Sequence, residues 1–127
     1  MSEPGHRASC VVVLITAPDA DSAARIAAAL IEERLAACVG RLGRIDSRFR
    51  WDGKLESASE ELLLAKTTRE RIDALVERVR ALHPYQVPEI IALPIVAGFE
   101  RYLDWVRAET TPAAPDRQDP SPPSRVE

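Results

Sequence analysis

The sequence predicts an α+β fold: one antiparallel sheet with two helices on one face and a short helix after it. Three observations predict it. Four apolar or β-branched runs read as strands, at Cys10 to Ile15, Ala37 to Trp51, Leu62 to Ala65 and Ile90 to Val96. Amphipathic stretches follow the first and third runs. An Asp52-Gly53 pair between the second and third marks a two-residue hairpin turn. The order is therefore βαββαβ, the ferredoxin-like arrangement, with a trailing helix.

The first run, Cys10-Val11-Val12-Val13-Leu14-Ile15, is apolar on both faces and ends at Thr16-Ala17-Pro18. Asp19, Asp21 and Ser22 supply cap and first-turn acids for a helix with Ala23, Ile26, Ala27, Leu30 and Ile31 on its apolar face. Gly40 and Gly43 interrupt the second strand and suggest a bulge. The Asp52-Gly53 turn opposes Trp51 to Lys54, Arg50 to Leu55, Phe49 to Glu56 and Arg48 to Ser57. Lys54 over Trp51 would add about 0.5–1 kcal/mol of cation–π energy at an exposed site. Further down, that register sets Ile45 against Glu60, a mismatch that a bulge would repair.

Thr67-Thr68-Arg69-Glu70 reads as a capping-box start for a second helix with Ile72, Leu75, Val76, Val79 and Leu82 on one face. Next comes a stiff corner, His83-Pro84-Tyr85-Gln86-Val87-Pro88-Glu89, whose prolines push His83 and Val87 towards extended geometry. Pro94 cannot donate to a ladder, so the last strand is an edge or ends there. The short last helix has Phe99, Tyr102, Leu103 and Val106 on one side, with Trp105 nearby.

At 127 residues the chain has room for one domain. Residues 1–8 read as a flexible arm, 9–108 as the domain, and 109–127 as a Pro-rich disordered tail. A formal charge of −3 gives no bulk attraction to nucleic acid or anionic membrane, so neither is an expected partner. No apolar run reaches membrane-spanning length, and the N-terminus lacks a secretory layout, so a cytoplasmic location is expected. Cys10 and Cys38 form neither a zinc pattern nor a disulfide framework and read as reduced, buried thiols.

One feature of the strands bears on assembly. An antiparallel sheet usually keeps one wet face and shows it as alternation. Three strands here are apolar on both faces, while two helices cover only one, so a second copy of the chain is expected to cover the other.

Catalytic motifs are not found: there is no Gly-rich phosphate loop, no nucleophile elbow and no nucleophile with a placed base, so no enzymatic activity is expected. His83 is the one imidazole within the folded region. It reads either as a helix-end residue or as a metal ligand needing donors from neighbouring chains. Arg44, Arg48 and Arg50 read as a solvated strand face opposite Glu60 and Glu61, or as one side of an anion groove.

Six blocks carry a resemblance to a known family. They are Val12 to Pro18, Leu35 to Val39, Trp51 to Lys54, Lys66 to Thr68, His83 to Glu89 and Tyr102 to Trp105. Together they closely resemble the CutA divalent-cation-tolerance family, in order, over roughly residues 10–108. The resemblance implies a homotrimer of ferredoxin-like subunits, similar in architecture to PII signalling proteins, with a role in tolerance to divalent cations and especially copper. It places a metal position near His83. Ile15 and Leu82 stand where copper-binding members carry a Cys and a second His. The cofactor is unknown, with copper or another divalent cation implied. The alternative is a PII-like regulatory module binding a small anionic ligand or a partner protein between subunits. Lys66, Tyr85, Glu89, Trp51 and Lys54 are the candidate cleft residues for it.

Overall fold

A computed structural model of the protein describes residues 7–112. The elements are β1 (Cys10–Ala17), α1 (Ala20–Glu32), β2 (Cys38–Trp51), β3 (Lys54–Thr68), a 3-10 turn (Arg69–Arg71), α2 (Ile72–Leu82), β4 (Ile90–Pro94) and α3 (Glu100–Glu109). The sheet order is β2-β3-β1-β4, and every pairing is antiparallel. This is the ferredoxin-like α+β fold that the chain order predicts. Of the expected arm, Arg7 and Ala8 are described: Arg7 reaches Glu100 and Asp104 at 2.9 Å, and Arg107 Nε donates to the Ala8 carbonyl. Residues 1–6 and 113–127, with most of the expected tail, lie outside the described residues.

Period-two alternation divides the sheet into two faces. Val11, Val13, Ile15 and Ala17 of β1, with Leu63 and Ala65 of β3, point to the side where Ala23, Ile26 and Leu30 of α1 and Leu75 and Val79 of α2 pack. All of these are buried, and each large aliphatic side chain among them contributes about 1.5–3 kcal/mol. On the opposite face α3 covers one end. There Leu103 and Val106 pack with Cys10, whose thiol donates to the Leu103 carbonyl at 3.7 Å. The rest of that face carries half-buried Val12, Leu14, Leu62 and Leu64, and its Ile91 and Leu93 are 48% and 49% exposed.

Helix α1 begins as expected, with the Ser22 amide donating to the Asp19 carboxylate at 2.7 Å. Ile31, expected on the apolar face, is instead exposed. The helix ends through Arg34, a non-glycine residue at φ 58°. This left-handed residue lets the Leu35 and Ala36 amides fold back onto the Leu30 carbonyl.

The hairpin register predicted from Asp52-Gly53 is the observed one, both turn residues having positive φ. A bulge falls between Arg41 and Gly43, with Gly43 at φ 100°. It does not remove the pairing of Ile45 with Glu60, which is present in the ladder. The expected mismatch is therefore tolerated, because Ile45 and Glu60 share the sheet face not covered by α1 and α2.

Two local expectations are corrected. The capping box does not form, because Thr67 and Thr68 still ladder with Val11 and Cys10, and the Thr67 hydroxyl donates to the Leu35 carbonyl at 2.7 Å. Helix α2 starts instead through the 3-10 turn, with no side-chain cap at Thr68 or Arg71. Phe99, expected on the packed side of α3, precedes that helix and is 72% exposed. Strand β4 pairs with β1 alone and ends at Pro94, as an edge strand limited by a missing donor should.

Candidate functional site

The corner after α2 is anchored by its imidazole. His83 caps α2 in extended geometry, at φ −82° and ψ 136°, as a residue before proline should be. Its ring is buried and lies 2.7 Å from the Thr16 carbonyl through Nε2. The Tyr85 amide donates to Nδ1 at 3.1 Å. An acceptor role for Nδ1 places the proton on Nε2, which then donates to Thr16. Both ring nitrogens are thus committed to backbone groups, and cation coordination by the ring requires one of these bonds to break. The Tyr85 ring lies 5.0 Å from the imidazole and is exposed, as is Glu89.

Ile15 and Leu82, at the two positions that the resemblance ties to copper, sit in the core. Ile15 is fully buried and Leu82 packs against the same cluster. Among the described residues of the chain, no group of three or more His, Cys, Asp or Glu side chains is placed to hold a metal ion.

The other sequence candidates fall in two further places. Lys66 is half-buried on the open sheet face, where its ammonium lies 5.6 Å from the centre of the Tyr102 ring, itself tilted against Trp105. That is the observed cation–π contact, rather than the expected one between Lys54 and Trp51. Trp51 and Lys54 face each other across the hairpin turn, exposed at its tip. Twelve residues of strand separate Lys54 from Lys66, about 40 Å at ~3.3 Å per residue, so one chain cannot bring them into one cleft. Two shallow grooves do exist, of about 420 and 450 Å³, beside Arg107 and between α1 and α2. None of the candidate residues lines either groove.

Charged groups that sequence reasoning did not separate are handled differently by the fold. Glu61 faces the helix side and holds Arg41 at 3.5 Å and Arg44 at 3.3 Å. Its neighbour Glu60 is 7% exposed on the opposite face and makes no hydrogen bond or ion pair among the described residues. Strand alternation was the signal that could have told these two apart. Arg34 was also missed: its guanidinium reaches the Glu109 carbonyl at 3.3 Å, and its own carbonyl accepts from Arg71 at 3.4 Å. It thereby ties the end of α1 to α3 and to the start of α2.

Comparison with known proteins adds the following. Residues 11–109 match the family model of the CutA1 divalent ion tolerance protein. A protein of Thermus thermophilus named divalent-cation tolerance protein CutA is 54% identical over 78% of this chain and 96% of its own length. The human protein CutA is 44% identical over 80% of this chain. The chain spans 57% of that relative's length and 60% of the Arabidopsis thaliana one. Among solved structures, the Thermus thermophilus divalent cation tolerance protein superposes with a TM-score of 0.79 at 53% identity, covering 80% of this chain and 99% of that one. CutA1 of Oryza sativa also gives 0.79, at 43% identity over 82% of this chain and 95% of its own.

Proposed function

The chain belongs to the CutA1 divalent ion tolerance family, and from that premise we propose that it serves tolerance to divalent cations, copper among them, as a homotrimer. One observation supports the assembly: the sheet face left open beside α3 is apolar, with Ile91 and Leu93 half-exposed at its edge. Contiguous apolar surface of this kind is characteristic of subunit interfaces. The cation role is supported by the names of the Thermus thermophilus and Escherichia coli relatives, both called divalent-cation tolerance proteins.

Copper or another divalent cation is a ligand of the assembly in this reading. His83 is its contact in this reading, at a cost set by the two hydrogen bonds its ring already makes. Donors from a neighbouring copy would complete the coordination, since a stable site needs three or four. The cytoplasm is the proposed compartment, in keeping with two free thiols, Cys10 and Cys38.

The role is tested by deleting the gene and measuring growth over a copper series. Increased sensitivity, reversed by the wild-type gene, supports the proposal, and unchanged growth across all divalent metals tried counts against it. Calorimetric copper titration of the wild type against His83→Ala then reports whether His83 takes part.

A further inference from the structure

The groove beside Arg107 carries donors that the fold leaves unused. It holds about 420 Å³ where the end of β3 and the start of α2 meet α3. Arg7, Arg71 and Arg107 line it against two carboxylates, Glu70 and Asp104, so its lining is positive by one charge. Asp104 is already engaged, by Arg7 at 2.9 Å and by Arg107 at 2.8 Å. Arg71 is not neutralised in this way. Its Nε donates to the Arg34 carbonyl at 3.4 Å, while its terminal nitrogens make no hydrogen bond or ion pair among the described residues. Thr68 lines the same groove at 4% exposure. It stands at the cap position of the 3-10 turn, yet its hydroxyl caps no amide and makes no hydrogen bond among the described residues. That hydroxyl is not sealed within the packing, so it opens onto the groove. Thr67 and Thr110, by contrast, donate to the Leu35 and Val106 carbonyls.

We propose that this groove binds the oxyanion group of a small organic ligand, a phosphate monoester or a carboxylate. A guanidinium presents its N–H donors as a planar fork that matches two oxygens of either group. The Thr68 hydroxyl supplies a further donor from the groove wall. Arg7, held on α3 by Glu100 and Asp104, adds positive charge from the opposite end of the chain. A volume of about 420 Å³ falls within the range of small-molecule sites and exceeds what a bare ion fills, which leaves room for an organic body. The groove lies within one chain, so the site depends neither on how copies assemble nor on the cation role.

The test compares thermal unfolding of the full-length protein in glycerol 3-phosphate, in succinate and in sodium chloride, at millimolar concentration and matched ionic strength. A ligand that binds only the folded chain raises the midpoint. Glycerol 3-phosphate or succinate should raise it above the chloride value, and the probe that does so identifies the group. Calorimetric titration with that probe then reads the variants. Thr68→Val keeps the side-chain shape and removes no hydrogen bond seen among the described residues, and Arg71→Met removes the fork. Each should weaken binding by about tenfold or more. Arg48→Met makes the same charge change on the exposed hairpin and should bind as the wild type does. Far-UV circular dichroism reports whether each chain is folded, and Thr68→Val carries the test alone should Arg71→Met unfold. Midpoints no higher in either probe than in chloride, or unchanged affinity in a folded Thr68→Val or Arg71→Met, would overturn the site. So would Arg48→Met weakening binding as much as Arg71→Met, which would show an effect of net charge only.

Discussion

His83 and Thr16 are joined by a 2.7 Å hydrogen bond between the imidazole Nε2 and the backbone carbonyl, which ties the end of α2 to the end of β1. The bond is buried, and it is oriented by the Tyr85 amide donating to Nδ1. A side chain that stood out in the sequence as a candidate ligand therefore closes a helix onto a sheet. The His83→Ala substitution removes both partners' counterpart and leaves the Thr16 carbonyl without its donor. A destabilisation of about 1–3 kcal/mol is expected, measured by urea unfolding of the two proteins.

Arg34 isolates the cost of a left-handed backbone. It sits at φ 58°, and its side chain bonds to the Glu109 carbonyl. Arg34→Ala and Arg34→Gly both lose that bond, but only alanine keeps a Cβ in the left-handed region. The glycine variant should be the more stable of the two by about 1 kcal/mol. Equal midpoints in thermal unfolding would contradict the conformational assignment.

Asp19 links the first helix to pH. The Ser22 amide, and then the Ser22 hydroxyl, hold its carboxyl below the usual carboxylate range. A group whose pKa is lower in the folded than in the unfolded state stabilises the fold above its unfolded pKa. That contribution is lost as pH falls through the folded value. The melting temperatures of the wild type and Asp19→Ala should therefore differ at neutral pH and converge in acid, below the ordinary carboxylate pKa. A difference that stays constant from neutral pH into strong acid would show that the cap does not depend on ionisation.

Cys10 is predicted to be chemically quiet. Burial pushes its thiol pKa up, partly offset by Arg107, and its Sγ–H donates to the Leu103 carbonyl beneath α3. Iodoacetamide at neutral pH should leave Cys10 unmodified in the native protein and alkylate it readily in guanidinium, as followed by peptide mass spectrometry. Rapid native modification would mean that α3 opens easily from the sheet.

How much of this was legible in the sequence depended on whether the cause was local. The Asp52-Gly53 turn carries its own backbone requirement, so the register of β2 on β3 followed from two residues. The Asp19 cap was equally local. The start of α2 was not, because Thr67 and Thr68 are claimed by pairing with β1 and by the Leu35 carbonyl, contacts made over a long stretch of chain. The Ile45–Glu60 pair looked like an error only until the two faces of the sheet were distinguished. At the candidate site, the corner's stiffness was readable from Pro84 and Pro88, but the partners of His83 were not. Its ring reaches a carbonyl 67 positions away.

The state of assembly is the most direct test of the account, because the open apolar face and the proposed cation role both depend on copies meeting there. Sedimentation velocity of the wild type at micromolar concentration should give a trimer. Ile91→Asp, which places a charge on the half-exposed edge of that face, should shift it towards folded monomer. A wild-type monomer, or a trimer that Ile91→Asp leaves intact, would contradict assembly through this surface.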